Sequence, residues 1–285
     1  MSVVITGATG HLGRLVVEDL LDRGVPAGRI TATARDTARL ADLAGRGVRT
    51  VHADFDEPAS WGEALKGADT LLLVSGTAIG ERVRQHGAVI DAAAEAGVGH
   101  IVYTSAPRAT DTTLVLAPEH KATEELVTAS GLAYTILRNG WYNENFAQQL
   151  DQARATGAFV GSAGRGRTAS ASRRDLAEAA SAVLRDPAAH AGAVYELSGD
   201  TAWTYDDLAA TLGELLGREV VYRDLTTEEH VAALTGAGLD EGTARFVAAL
   251  DTNTRDGELS AITGELSRLI GRPTTPVGET LRALL

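Results

Sequence analysis

The chain has 285 residues, 44% apolar and 22% charged, which excludes wholesale disorder and suits one large α/β domain or a nucleotide domain with a smaller partner. Lys and Arg number 26 against 38 Asp and Glu, and the net charge of −12 argues against nucleic acid or an anionic membrane as a direct partner. No cysteine is present, so disulfides, thiolate nucleophiles and Cys-ligated metal centres are excluded.

The opening residues Met1 to Gly7 lack a basic segment followed by an apolar run. The apolar block Thr70 to Val74 is far shorter than the roughly 20 residues that span a bilayer. The expectation is a soluble cytoplasmic protein.

Short apolar runs alternate with helical patterns through the first half. Val3 to Ile5 comes first, then a helix from His11 to Leu21 with Leu12, Val16 and Leu20 on one face. Further strands are expected at Ile30 to Ala34, Val48 to His52, Leu71 to Val74, Ile101 to Thr104 and Tyr134 to Leu137. Helices fall between them at Ala38 to Ala44, Ser60 to Leu65, Val83 to Ala96 and His120 to Ser130. Strands that alternate with helices pair in parallel through crossovers, which predicts a doubly wound α/β sheet. Arg138 to Ala169 is rich in glycine and reads as loops with short elements. A helix at Arg173 to Leu184, a strand at Val194 to Leu197, a helix at Thr204 to Leu216 and a short strand at Val220 to Tyr222 follow. Thr226 to Leu285 is mostly helical, and the later segments are expected to pack on the carboxyl edge of the first sheet.

Gly7-Ala8-Thr9-Gly10-His11-Leu12-Gly13 follows the first strand and opens the first helix. Glycines with this spacing allow a tight turn, a close backbone approach to pyrophosphate and close packing of helix on strand. The helix N-terminus adds partial positive charge. The second strand ends in Arg35, suited to a ribose 2′-phosphate, where Asp or Glu would suit a free hydroxyl. NADPH is therefore expected, with NADH possible. Asp36, beside Arg35, suits a cap on the helix that starts near Thr37, with a place facing the ribose as the alternative. After the third strand, Asp54 can accept from an adenine amino group and Phe55 can lie beside the ring; a polar loop with a cap is the alternative. His52, Asp54 and Asp56 have no further ligand to complete a metal site, so no metal is expected.

The order of these segments, with Leu71 to Ser75, Gly80 to His86, Tyr103-Thr104-Ser105, Leu137 to Tyr142, Ala169 to Arg173, Tyr195 to Asp200 and Leu269 to Thr275, resembles the atypical short-chain dehydrogenase/reductases of the NmrA-like group. Within that group the likeness is to the quinone-reducing branch, and a triphenylmethane-dye-reducing branch is similar over the same length. The resemblance implies a Rossmann domain over 1–140, with 168–190 packing on it. It also implies a smaller, mostly helical substrate lobe over 141–167 and 191–285, with the nicotinamide between the two. Carried over by residue, the cofactor would touch Gly7, Thr9, Gly10, His11, Leu12, Gly13, Arg35, Asp54, Phe55, Val74, Ser75, Gly76, Thr104, Asn139, Gly140, Trp141, Tyr142, Asn143 and Arg173. Trp141 and Tyr142 suit lobe packing as well as a quinone platform, and Arg173 suits a salt bridge as well as a phosphate contact.

Short-chain dehydrogenases protonate an alkoxide with a Tyr whose pKa is lowered by a Lys four residues later. The only lysines, Lys66 and Lys121, follow Gly62 and Ala117 at that spacing, so no such pair exists. By the resemblance, Leu116 and His120 stand at the two positions, and Ser105 keeps the place of the third member. A simple ketone needs a well-placed acid. A quinone spreads the charge of the incoming hydride over a conjugated ring, and a cationic dye needs no proton at all. The expected activity is direct hydride transfer from NADPH to a quinone-like acceptor, with His120 and Ser105 as candidate assisting groups. A non-catalytic NADP-sensing regulator is the alternative, and an isomerase would keep the Tyr/Lys pair. No nucleic acid or membrane partner is expected, and the chain is taken as a monomer or homodimer.

Overall fold

The structure, a computed structural model, describes residues 2–285 and divides into two compact units. Of the described residues, the first comprises 2–110, 118–139 and 173–196, and the second 111–117, 140–172 and 197–285.

In the first unit, strands β1 (Val3–Ile5), β2 (Ile30–Ala34), β3 (Arg49–His52), β4 (Thr70–Leu73), β5 (His100–Ser105), β6 (Ala133–Asn139) and β9 (Val194–Leu197) form one sheet in the order β3-β2-β1-β4-β5-β6-β9. The pairs from β3 to β6 are parallel, and the bonds to β9 rise along both chains together. Helices α1 (His11–Asp22), α2 (Ala41–Gly45), α3 (Trp61–Leu65), α4 (Arg82–Glu95), α5 (Ala117–Ala129) and α7 (Arg173–Arg185) make the crossovers. The strands are apolar throughout because both faces are covered; Leu71, Leu72 and Leu73 admit no solvent. Trp61, Leu65, Val89, Ile90, Ile101 and Tyr103 fill one face of the core. Strand order reverses between β1 and β4, the switch point where a doubly wound sheet opens a crevice at its carboxyl ends.

The second unit holds α6 (Ala147–Thr156), β7 (Ala158–Gly161), β8 (Arg167–Thr168), β10 (Trp203–Thr204), α8 (Tyr205–Leu216), β11 (Val221–Asp224), α9 (Thr227–Gly236), α10 (Glu241–Arg255), α11 (Glu265–Ile270) and α12 (Val277–Arg282). β7 pairs with β11 in parallel and β8 with β10 antiparallel. Phe146, Phe159, Trp203, Tyr205, Leu208 and Leu212 make its core. Thr204 with Asp207, and Thr226 with Glu229, close reciprocal caps that start α8 and α9. α6 is a full helix inside the stretch read as loops. Only Leu150 and Ala153 of it are buried, so its sequence carries almost no apolar stripe. The expected helix at Ala38 to Ala44 divides into a tight turn, Thr37–Leu40, and the short α2. Among the described residues no helix is long and apolar enough to cross a membrane.

Candidate functional site

The glycine turn sits at the switch point. Thr6 at the end of β1 accepts from the Val74 N–H at 2.9 Å through its hydroxyl, locking the ends of β1 and β4 together. Gly7 takes the left-handed conformation, φ +61°, and turns the chain back. A Cβ on Gly13 would stand 2.5 Å from the Gly7 carbonyl oxygen, so only glycine lets α1 approach β1 this closely. Gly10 caps α1 without a side-chain hydrogen bond, and the first turn holds no acidic residue. The leading N–H groups of this 12-residue helix therefore keep their donors and partial positive charge for an anion. Gly10 and His11 are exposed, Thr9 is half-buried, and Leu12 is buried so that only its backbone faces the turn.

One strand away, Arg35 is exposed at the end of β2, and its guanidinium has no hydrogen bond or ion pair among the described residues. Its carbonyl accepts from His52 Nδ1 at 2.8 Å. Asp36 caps the following turn by accepting from the Ala38 N–H at 3.0 Å, the role its position suggested. Asp54 accepts from the Asp56 N–H at 3.0 Å, and Phe55 is half-buried, tilted 5.5 Å from Trp61 and 5.8 Å from His86. Among the described residues no group of His, Asp and Glu is placed to hold a metal ion.

The loop after β4 is held by side chains. Ser75 N–H donates to Thr104 Oγ1 at 2.9 Å, and Gly76 N–H donates to His86 Nε2 at 3.0 Å. Arg82 Nε donates to the Gly76 carbonyl at 2.6 Å and pairs with Glu119 at 2.9 Å. Thr104, expected among the contacts, is buried and spends its hydroxyl on Ser75. His86 passes Nδ1–H to Thr123 at 3.1 Å, and burial first, then the nearby His120 and Arg82 charges, push its pKa down to about 3. It is a neutral strut. Composition did not single out His86 and Arg82, although both lie in the Gly80 to His86 stretch.

The candidate assisting groups part company. Ser105 Oγ donates to Glu124 Oε1 at 2.6 Å, and Glu124 is gripped by Arg138 at 2.9 and 2.7 Å. Arg138 also reaches Glu196 at 2.9 Å, which accepts from the Arg108 N–H. Glu124 raises the Arg138 pKa, with Glu196 adding to it, so Arg138 stays charged. The Ser105 hydroxyl is consumed in that network. His120 is buried, and its Nδ1 lies 2.8 Å from Tyr103 Oη.

At the end of β6, Asn139 is 6% exposed and its Oδ1 has no hydrogen-bond partner among the described residues. A buried amide oxygen without a partner is costly unless a ligand answers it. Arg173 opens α7, half-buried. In the second unit, Gly140 N–H donates to the Leu197 carbonyl at 2.7 Å, and Trp141 is half-buried against that unit's core. Tyr142 is half-buried beside Ala171. The Asn143 amide is fully used: Nδ2 donates to the Thr275 carbonyl at 3.1 Å and to Thr280 at 3.0 Å, and Oδ1 accepts from Ser170 at 2.6 Å. Asn143 therefore braces its own unit.

A glycine turn under an uncapped helix at the switch point of a seven-stranded sheet defines a Rossmann-type nucleotide-binding protein. The free α1 N-terminus, the unpaired Arg35 and the orphaned Asn139 oxygen fit a dinucleotide bearing a 2′-phosphate. Residues 7–187 match the model of the NAD(P)H-binding family, and the chain belongs to that family. It is 44% identical over 282 residues to quinone oxidoreductase 2 of Escherichia coli, covering 99% of this chain and 98% of that one. The crystal structure of that NADPH-dependent enzyme in complex with NADPH superposes with a TM-score of 0.95, covering 99% of both chains. Triphenylmethane reductase of Citrobacter sp., solved with NADP(H), is 37% identical with a TM-score of 0.94 and full coverage of both chains. An NAD(P)H azoreductase of Xenophilus azovorans is 29% identical over 99% of this chain and 97% of its own.

Proposed function

We propose that this chain is an NADPH-dependent oxidoreductase that passes hydride directly to a quinone or a similar electron-poor conjugated acceptor. The observation that carries the reading is the pairing of an intact phosphate turn with a missing Tyr/Lys acid. The leading N–H groups of α1 would hold the pyrophosphate and Arg35 the 2′-phosphate. The Ser75–Gly76 loop, fixed by Thr104 and His86, would pass the ribose, and Asn139 would answer an amide at the reacting end. When bound, the dinucleotide supplies the hydride. The protein supplies proximity and orientation. The acceptor must stabilise its own product, because neither Ser105 nor an acid pair is there to protonate an alkoxide.

Stopped-flow oxidation of NADPH with a panel of benzoquinones and naphthoquinones tests this. Turnover with at least one is expected. Saturable NADPH binding with no turnover of any acceptor would leave a nucleotide sensor in its place. The full-length likeness to reductases favours the enzyme. We place the protein in the cytoplasm as a monomer or homodimer, a state that light scattering in solution reads directly.

A further inference from the structure

We infer that His120 holds the acceptor's oxygen, donating Nε2–H to the atom that gains negative charge when a quinone takes up hydride. The inference rests on the proposed quinone reduction and names a residue for it.

Three observations carry it. Tyr103 is fully buried in β5, its hydroxyl 2.8 Å from His120 Nδ1 and beside the Thr123 hydroxyl, which already accepts from His86 Nδ1 and donates to the Glu119 carbonyl. The phenol therefore donates to Nδ1, which fixes the tautomer with hydrogen on Nε2. Nε2 itself has no partner among the described residues, while 5% of the side chain's residue reaches solvent. Third, the imidazole lies in the first turn of α5, and Tyr103 precedes Thr104, the residue that holds Ser75. His86 meets the Tyr103 ring edge-on at 5.6 Å and holds Gly76. The donor thus stands on the carboxyl rim of the sheet, on the same scaffold as the loop assigned to the ribose.

The charged and titratable groups around it are Arg82 paired with Glu119, His86, and Glu124 gripped by Arg138. Burial first and Arg82 second push the His120 pKa down to about 4. An imidazole that is neutral through the physiological range is a hydrogen-bond donor and not an acid. The chemistry balances on that basis. The quinone gains two electrons and one hydrogen as hydride, and one of its oxygens becomes a phenolate. That oxygen takes a proton from water and the hydroquinone leaves. His120 keeps its own proton throughout, and no bond to it forms or breaks.

The test compares wild type with His120→Gln, which keeps an N–H donor, and His120→Phe, which has none. NADPH affinity and melting temperature are measured beside kcat on a benzoquinone. The Gln variant should stay within about threefold of wild type and the Phe variant should lose about 10- to 100-fold in kcat, with NADPH affinity unchanged in both. Wild-type kcat should be flat from about pH 6 to 9. Equal kcat in all three proteins would overturn the inference, as would a Gln variant that falls as far as Phe. So would a wild-type limb near pH 6.5 that the Gln variant lacks, which would make His120 an acid. If the Phe variant does not fold, Tyr103→Phe releases the tautomer: a several-fold loss of kcat supports the role and an unchanged kcat overturns it. Wild type that binds NADPH but reduces no quinone removes the underlying reading, and this inference with it, before any variant is made.

Discussion

At the carboxyl end of β2 the exposed Arg35 guanidinium makes no hydrogen bond or ion pair among the described residues, and Asp56 feels its charge only at longer range. A guanidinium kept free at that place is suited to a fork of two bonds to a phosphate. Arg35→Gln should weaken NADPH binding about tenfold to a hundredfold and leave NADH within about threefold, as expected for charge-assisted hydrogen bonds worth about 1.5–3 kcal/mol. Fluorescence titration with both nucleotides checks it, and equal weakening of the two would make Arg35 a scaffold residue. Ser105 and His120 show what sequence position alone does not reveal. Both stand where the resemblance puts assisting groups, yet Ser105 is tied to Glu124 and His120 keeps one nitrogen open.

At the scale of elements, the junction of β1 and α1 is the tightest test of the fold. Gly13→Ala would drive a methyl to 2.5 Å from the Gly7 carbonyl, and that atom is backbone, so helix and strand must separate. A loss of about 1–3 kcal/mol in unfolding free energy is expected, together with loss of NADPH binding. Gly10→Ala, at 3.2 Å, should cost less. Denaturant titration and nucleotide binding on the two variants settle the order. The elements that the alternation of apolar runs announced are present from β1 to β6. α6 was hidden because a helix buried at only two positions, Leu150 and Ala153, has no sustained periodic signature. Val194 to Leu197 was legible as a strand, but its place beside β6 was not, since pairing is decided by the partner and not by the strand itself.

Across the whole molecule, acid stability follows from imidazoles held neutral by burial. His86 and His120 titrate at about 3 and about 4 in the folded chain, against 6.5 when exposed. Below about pH 6.5 the unfolded chain binds protons that the folded one refuses, so stability falls as pH drops from 6.5 toward 4. The slope should be about 1.4 kcal/mol per pH unit for each imidazole. Urea unfolding at pH 7, 5.5 and 4.5 measures it, and a flat profile across that range would show that these imidazoles are not buried neutral.

By itself the sequence determined the alternating strands and helices, the glycine turn that opens α1, Arg35 at the end of its strand, and the lack of a Tyr/Lys pair. All of these are relations between neighbours along the chain, where local sterics and periodicity act. Tertiary structure alone decided which polar groups are consumed and which stay open. Ser105 meets Glu124 19 residues on, and Asn143 meets Thr275 132 residues on, so only the folded backbone brings donor to acceptor. Among the described residues the same packing leaves the Arg35 guanidinium, the Asn139 oxygen and the His120 Nε2 without hydrogen-bond partners, because a hydrogen bond forms where two groups arrive within about 3 Å and nothing local dictates that arrival.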